Sequence, residues 1–352
     1  MPANLDPKKS LDAIIGKSRV HLYKPIQIAE ILYHHRQEKG WDLSDRESYR
    51  NVSKKWRDNI SLRLVGRRST SSQKYQDNIF EANAMPPILL AALGKINNKG
   101  GGFVEAYIYK SLQAKLRALE RIEKYVKNAT PDTFSLKQLF SFFTANKGLK
   151  RSIDKVYEIS VYALFSTIVR ALKAKITLEL ENKDKEILND FKSFMQAVLG
   201  IDAKKTSISA PASLYRVGVT NAADRGLDMW ANFGVAVQVK HLTLTPITAG
   251  EIVGNIMADR IVIVCLDVEK EAIETILKQV GLGERIQGII TLDDLDRWYE
   301  LCLSKKYRDQ LGKNLLLDLR KEFRTEFPSS VELEPFLRER KYDEVPLPEG
   351  WR

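Results

Sequence analysis

The stretch GLDMWANFGVAVQVKH, residues 226–241, has the pattern of a β-hairpin. Its residues 232–234, Asn-Phe-Gly, suit a three-residue hairpin loop with glycine in the left-handed position. If the strands pair directly beside this loop, Asp228 lies opposite Gln238, and directly opposed residues share a face of the sheet. Lys240, two residues further along, points to the same face. The hairpin therefore predicts a carboxylate, an amide and an ammonium group gathered on one face.

This group of side chains suits the hydrolysis of a phosphodiester. A magnesium ion held by a carboxylate and by amide or backbone oxygens can bind both a water molecule and a phosphate. A lysine beside it can stabilise the negative charge that develops in the transition state. The alternative interpretation is a strand with one solvated face, because an acid followed by nine residues and Gln-x-Lys also arises by chance. The valines at 235, 237 and 239 point to the opposite face and can anchor the hairpin in a core.

Charge is unevenly distributed along the 352 residues. The net charge is +11 and the hydrophobic content is 44%, which is typical of a folded globular protein. Residues 1–200 carry 35 Lys/Arg and 21 Asp/Glu, a net +14, whereas residues 201–352 carry 21 and 24, a net −3. This basic excess favours a nucleic acid as partner, and the alternative is a solvated basic surface.

Several classes of protein are disfavoured by the composition. The two cysteines and four histidines form neither a disulfide framework nor a zinc-ligand spacing. The N-terminus does not resemble a signal peptide, and no apolar run reaches the length of a membrane span. We therefore expect a cytoplasmic protein.

The pattern of predicted secondary structure changes near residue 205. Before it, helical periodicity predicts the helices 24–37, 45–60, 88–96, 103–126, 135–146, 151–180 and 185–199. After it, strands and helices alternate: strands at 213–219, 260–266 and 285–291, besides the hairpin, and helices at 248–259, 268–280 and 292–303. This order predicts an α/β (α+β) fold, with a mixed sheet flanked by helices and a large helical N-terminal part.

The predicted secondary structure and the charge distribution indicate three regions. Residues 1–200 form a mainly helical, basic DNA-binding part, although the helix 103–126 can belong to the catalytic core. Residues 205–305 form that core, and residues 306–352 form a basic C-terminal helix, at 305–327, with a tail.

The hairpin resembles that of the PD-(D/E)XK nucleases, which carry an acid on one strand and (D/E)-x-K on the next, followed by a helix and a strand. Asp228 matches the first acid and Lys240 the lysine. Gln238 stands where the family usually has Asp or Glu, and Leu227 where it usually has Pro. The Gln departure removes a charged metal ligand, which leaves the number and affinity of bound metal ions open.

A longer pattern is similar to type II restriction endonucleases of this superfamily. Its segments are TSSQKYQDNIFEANAMPP at 70–87, GGFVEAYIY at 101–109 and NAADRGLDMW at 221–230. The resemblance implies Mg²⁺-dependent cleavage of double-stranded DNA at RGCGCY, with a cognate DNA methyltransferase that protects host DNA. Because such a site is palindromic, we also expect a homodimer.

The expected metal ligands are Asp228, Gln238 and the backbone carbonyl of Val239. Nucleases of this superfamily often add a carboxylate from a helix that precedes the hairpin, and Glu105 is the first candidate. The alternative role of Glu105 is a favourable acid at the start of a helix. Glu158 and Asp190 are weaker candidates for the same place.

Candidate DNA contacts lie in two segments. Arginines and hydroxyl groups between residues 54 and 74 suit phosphate contacts, although a solvated surface explains them equally well; the residues singled out there are Arg63, Arg67, Arg68 and Lys74. Just before the acid, Arg216, Asn221 and Arg225 have side chains suited to reading base edges, and a structural turn is the alternative for Asn221.

We predict a magnesium-dependent, sequence-specific DNA endonuclease in which Asp228 holds the metal and Lys240 positions the attacking water. One alternative is a non-catalytic nucleic-acid-binding protein on a decayed nuclease fold, which Gln238 would explain. Another is a repair or junction nuclease, which would recognise DNA structure rather than sequence.

Overall fold

The computed structural model describes residues 6–38, 40–69, 71–202, 204–217, 227–268, 285–327 and 331–351. Contacts divide the chain into two compact units. The first comprises the described residues of 1–159 and 319–352, and the second those of 160–217 and 224–318. The predicted division at 200–205 and 305 differs from these limits and stays a prediction.

The first unit is built from helices. They are α1 (Pro7–Lys17), α2 (Tyr23–Gln37), α3 (Arg46–Val65), α4 (Gln73–Asp77), α5 (Pro87–Lys99), α6 (Phe103–Asn128) and α7 (Leu136–Ala145). The predicted helices in this part of the chain are confirmed, with ends that move by a few residues. The helix α2 is buried along most of its length and contacts α1, α3, α5 and α6, so it lies at the centre of the unit.

The helix α8 (Ile153–Leu172) is shorter than the predicted helix 151–180, which was wrong beyond residue 172. Lys173 adopts φ 50°, a left-handed conformation that ends a right-handed helix. The chain continues as strand β1 (Lys175–Glu179), which pairs antiparallel with β2 (Ser207–Pro211). The short helices α9 (Lys185–Asp190) and α10 (Lys192–Phe194) and a π-helical turn at Met195–Leu199 lie between the two strands.

A five-stranded mixed sheet forms the core of the second unit. Its strands are β3 (Leu214–Arg216), β4 (Met229–Ala231), β5 (Val235–Val239), β7 (Arg260–Val264) and β9 (Ile286–Ile290), in the order β3-β4-β5-β7-β9. The first three pair antiparallel, and β5, β7 and β9 pair parallel. Two short strands, β6 (Thr243–Leu244) and β8 (Asp267–Val268), form a separate parallel pair.

The helix α11 (Pro246–Asn255) connects β5 to β7 and covers one face of the sheet. Its residues Ala249, Ile252 and Val253 pack with Ala236, Ile261 and Ile263 in a single apolar cluster. Arg285 donates hydrogen bonds to the carbonyls of Val253, Ile256 and Ala258, so it fixes the C-terminal end of α11.

The last helices are α12 (Leu292–Leu303), α13 (Lys313–Glu326) and α14 (Leu333–Glu339). The predicted helix 305–327 begins later than expected, after a π-helical turn at Arg308–Gly312. The predicted helix 268–280 lies outside the described residues except for Val268, which belongs to β8. The predicted fold class, a mixed sheet with helices and a helical N-terminal part, is confirmed. None of the helices in the described ranges is both long enough and apolar enough to cross a membrane.

Candidate active site

The hairpin of β4 and β5 has the predicted register. Met229 pairs with Val237 and Trp230 with Ala236, so the next pair outward is Asp228 with Gln238. Gly234 closes the loop with φ 84°, and its N–H donates to the carbonyl of the residue before the loop at 3.0 Å. Only glycine adopts this conformation without strain, which fixes the loop at three residues and therefore fixes the register.

Asp228 and Gln238 are in direct contact. Gln238 Nε2 donates to Asp228 Oδ2 at 2.5 Å, and the backbone N–H of Val239 donates to the same oxygen at 2.8 Å. Gln238 is buried, with 2% of its surface exposed, whereas Asp228 is half-buried. The amide therefore satisfies part of its hydrogen-bonding capacity on the carboxylate, which it holds in a fixed orientation.

Lys240 follows β5 directly, and its backbone N–H donates to the carbonyl of Val264 at 2.8 Å. Alternation along the strand puts its half-buried side chain on the face of Gln238.

Cys265 is the residue that follows the neighbouring strand β7, and burial raises the pKa of its thiol to about 11. The thiol is therefore protonated at neutral pH and is not a nucleophile here. The valines of β5 are buried, as predicted.

An exposed aromatic pair lies on the same face and was missed by the sequence interpretation. Tyr215 pairs with Trp230 across β3 and β4, and their rings stack with centroids 4.5 Å apart. Both remain exposed, at 43% and 46%. Trp230 is two residues from Asp228, so strand alternation alone could have placed it beside the carboxylate. Arg216, a candidate DNA contact, is the next residue along β3.

Glu105 has a complete set of partners inside the first unit. Arg36 donates to both of its oxygens at 2.9 Å, Asn97 Nδ2 donates at 2.6 Å, and the Tyr342 hydroxyl donates at 2.6 Å. The side chain is fully buried. The hydrogen bond to Glu105 raises the pKa of the Arg36 guanidinium. A metal at Glu105 would have to displace these donors, and nothing in the sequence near Glu105 indicated them.

Glu158 and Asp190, the two weaker candidates for a further metal ligand, have different surroundings. Glu158 is buried and forms an ion pair with Lys155 at 2.5 Å. Asp190 is exposed at the end of α9.

The basic segment around α3 divides into paired and solvated side chains. Lys54 pairs with Asp77, and Arg63 lies 2.7 Å from Glu339 and over the ring of Phe336. Arg68 and Lys74 are exposed, whereas the Nη1 atom of Arg67 is buried without a hydrogen-bond partner among the described residues. The predicted DNA contacts Asn221 and Arg225 lie outside the described residues.

The hairpin face offers oxygen atoms as metal ligands. Within the described ranges, no three His, Cys, Asp or Glu side chains come together in a way that could hold a metal ion. One carboxylate, one side-chain amide and the neighbouring backbone carbonyl are hard ligands, which suit Mg²⁺ if water supplies the remaining positions.

Comparison with known proteins identifies the family. The model of the HaeII restriction endonuclease family matches residues 7–342. The type II restriction enzyme HaeII of Haemophilus aegyptius is 49% identical over 340 residues, which cover 96% of this chain and 97% of that protein. The type II restriction enzyme NgoBI of Neisseria gonorrhoeae is 47% identical over 339 residues, 96% of each chain. No solved structure is significantly similar.

These matches confirm the resemblance to type II restriction endonucleases, a class that acts on DNA and is associated with divalent metal ions. The chain belongs to the HaeII restriction endonuclease family, and it is accordingly an enzyme that cleaves DNA at specific sequences.

Proposed function

We propose that cleavage takes place at the hairpin face that carries Asp228, Gln238 and Lys240, as in the PD-(D/E)XK nucleases. The observation that supports this site is the hydrogen bond between Gln238 and Asp228, with Lys240 on the same face of β5. An acid oriented by an amide can hold a metal ion, and a lysine beside it can stabilise the charge that develops during phosphodiester hydrolysis.

The proposed cofactor is Mg²⁺. Asp228 would hold it, with the amide oxygen of Gln238 and the carbonyl of Val239 as further ligands. The bound ion would polarise the phosphate and lower the pKa of a coordinated water molecule. Glu105 stays a predicted further ligand, and a metal ion there would have to displace the donors from Arg36, Asn97 and Tyr342.

Each side chain of the site has a distinct role in this proposal. The two hydrogen bonds to Asp228 Oδ2 hold the carboxylate in place while the substrate enters. Lys240 positions the attacking water and neutralises the negative charge that develops on the phosphate oxygens. Stabilisation of that charge by a preorganised ammonium lowers the barrier, because the charge is absent in the ground state.

The proposed DNA contacts follow the exposure of the basic residues. Arg68 and Lys74 would bind backbone phosphates, with Arg67 beside them. Arg63 would contribute less, because Glu339 already neutralises it. Near the hairpin, Arg216 and the stacked Tyr215–Trp230 pair would face the substrate. Asn221 and Arg225 stay predicted DNA contacts.

The proposed target is RGCGCY in double-stranded DNA. This sequence is a palindrome, so a two-fold-symmetric homodimer would present one hairpin site to each strand. A cognate methyltransferase acting on the same sequence would protect the host DNA, and both proteins would act in the cytoplasm.

Plasmid cleavage tests this proposal. Purified protein is incubated with a plasmid that contains RGCGCY and with a matched plasmid that lacks it, in Mg²⁺, in Ca²⁺ and in chelator. We expect double-strand cuts only in the first plasmid and only with Mg²⁺, and sequencing of the ends locates the cut. Asp228→Asn should bind DNA in Ca²⁺ without cutting in Mg²⁺, whereas Asp293→Asn, at an exposed position on α12, should cut normally.

Other outcomes identify which part of the proposal is wrong. If Asp228→Asn cleaves DNA within tenfold of the wild-type rate, the hairpin is not the active site. If the enzyme cleaves at another sequence, RGCGCY is not the target, but the hairpin can still be the active site. DNA binding without any cleavage would favour the decayed nuclease, and preference for junctions over linear DNA would favour the repair enzyme.

A further inference from the structure

Residues 173–211, hereafter the arm, expose many large apolar side chains. The arm consists of the β1–β2 ribbon and the helical segment 185–199 between its strands. Four of its apolar residues are about half exposed or more: Ile187 (46%), Phe191 (57%), Phe194 (54%) and Val198 (63%). Such a concentration of exposed apolar surface is unusual in a monomer and marks an interaction surface.

The four residues form one stripe. The backbone N–H groups of Phe191 and Met195 each donate to the carbonyl four residues earlier, so the helical course continues from α9 through α10 to the π-helical turn. A spacing of four, three and four residues then places the four side chains on the same side. Met195, in contrast, is 4% exposed and packs inward, and so does Ile201 just beyond the segment. The helical segment therefore has an inner apolar side that holds the arm together and a second apolar side that the described chain leaves uncovered. An a/d-type spacing of this kind is the pattern by which helices pair.

The ribbon has the same two-sided character. Its polar face carries the hydrogen bond between Thr177 Oγ1 and Ser209 Oγ, and on its other face Leu178, opposite Ile208, remains 42% exposed. A two-stranded ribbon is only marginally stable by itself. The arm would therefore gain stability from a partner surface.

The charge of the arm argues against DNA as that partner. Residues 173–211 contain seven lysines and six acidic residues, a net charge of +1, whereas residues 1–172 contain 30 Lys/Arg and 16 Asp/Glu, a net charge of +14. Interspersed charges of both signs around an apolar stripe are self-complementary, as the isologous interface of a two-fold dimer requires.

The exposed area also fits a dimer. With Leu172 (71%) at the end of α8 and Leu178, six large apolar residues are involved. A phenylalanine carries roughly 150–250 Å² of surface and an aliphatic side chain somewhat less, so on the order of 500 Å² of apolar surface is left uncovered on each protomer. Together with the polar side chains around them, two such surfaces approach the lower end of the range of stable interfaces, about 1,200–2,000 Å² in total.

We infer that the arm is the surface through which two copies of this chain associate, with the Ile187–Val198 stripe of one copy packed against that of the other. This inference rests on the homodimer proposed above and names its interface. It assigns the stripe a function that is separate from metal binding and cleavage at the hairpin.

Sedimentation velocity of the full chain without DNA tests the inference. Wild type should sediment as a dimer, and Phe191→Glu combined with Phe194→Glu should raise the dissociation constant of the dimer by at least about 100-fold, since two central aromatic anchors are lost. The matched control is Ile88→Glu, which also places a charge on an exposed apolar residue (75%) but lies on α5. It should sediment like wild type.

Disulfide trapping provides a second readout that needs no disruptive substitution. Cys265 and Cys302 are buried, so an introduced surface cysteine is the accessible thiol. In a two-fold interface the residue nearest the axis meets its own copy. Single changes to cysteine at Phe191 and Phe194 should therefore include one that cross-links into a covalent dimer, whereas Ile88→Cys should not.

The outcomes separate the proposals. A monomeric wild type would overturn both the homodimer and the arm interface, whatever its cleavage activity. A dimeric wild type whose double variant remains dimeric, with no cross-linking at either cysteine, would overturn the arm alone. Circular dichroism of the double variant distinguishes dissociation from unfolding, and a variant that unfolds leaves the decision to the cysteine pair.

Discussion

Replacement of Glu105 should destabilise the protein far more than replacement of an ordinary helical glutamate. Its carboxylate is fully buried and accepts hydrogen bonds from Arg36, Asn97 and Tyr342. In Glu105→Ala, all three donors lose their acceptor. Tyr342 and Asn97 are buried, so each is left unsatisfied at a cost of about 1–3 kcal/mol.

The ion pair adds to this cost. Removal of one partner of a buried pair typically costs about 3–5 kcal/mol. The Arg36 side chain keeps 22% exposure and can partly regain hydration, which lowers the contribution. We expect a loss of about 4 kcal/mol for Glu105→Ala. Glu105→Gln should cost about half as much, because it keeps the volume and some hydrogen bonds but loses the charge.

Urea unfolding in chelator, followed by fluorescence and circular dichroism, measures the effect. A loss of about 4 kcal/mol shifts the midpoint by roughly 1 M or more. The control is Glu120→Ala, an exposed glutamate of the same helix, which should change stability by less than about 0.5 kcal/mol. If Glu105→Ala proves as stable as this control in chelator but fails to bind metal, the structural role is refuted and Glu105 is a metal ligand.

Four further variants test other parts of the molecule. Lys240→Ala should lower the single-turnover cleavage rate by about 10²–10³ with DNA affinity in Ca²⁺ little changed; an equal loss of affinity would make Lys240 a phosphate anchor. Gln238→Glu restores the usual family acid at the same side-chain length and should fold and bind metal more tightly by calorimetry; unfolding of this variant would instead make Gln238 a buried structural amide. Arg68→Gln with Lys74→Gln should reduce the slope of log affinity against log salt by about 2, whereas Arg63→Gln should leave it nearly unchanged. Burial is the main cause that lowers the pKa of the His21 imidazole to about 4, and the positive charge of Arg67 is the second. Because the unfolded chain takes up this proton near pH 6.5 and the folded chain does not, stability should fall by up to about 3 kcal/mol between pH 6.5 and 4, and urea midpoints of His21→Phe should show a smaller acid dependence.

The hairpin could be predicted from sequence because its geometry is local. A three-residue loop ending in glycine fixes which residues pair, and strand alternation then fixes the face of Asp228, Gln238 and Lys240. The helices α2, α3, α5, α6 and α7 of the first unit were predicted for a similar reason, since apolar residues at helical spacing lie within a single segment. The helices α1 and α4 were not predicted.

The arm could not be predicted in this way. Residues 175–179 continue the apolar and charged pattern of α8, and only the left-handed Lys173 and the pairing with residues 207–211 make them a strand. That pairing closes a loop of about thirty residues, and the local sequence carries no sign of it. Tertiary pairing here overrides helical propensity.

The roles of Glu105 and Arg63 depend on residues that are even more distant in sequence. Glu105 meets Tyr342, 237 residues away, and Arg63 meets Glu339. The resemblance to the nuclease superfamily favoured a metal-ligand role for Glu105, and the arginines and hydroxyl groups around Arg63 suited phosphate contacts. The structure adds partners that satisfy both side chains within the protein, and no pattern near either residue indicated them.

The contacts of α14 and Tyr342 also set the order of events during synthesis. The ribosome makes α2, α5 and α6 first, and Tyr342 follows Glu105 by 237 residues. At about 5–20 residues per second, Glu105 waits roughly 10–50 s for its last hydrogen-bond donor. Arg340, which lies 3.3 Å from Glu30 of α2, arrives equally late. When the helices α2, α5 and α6 and the hairpin have already been synthesised, these buried partners are still missing. The helical unit therefore matures only after the strands of the hairpin have left the ribosome.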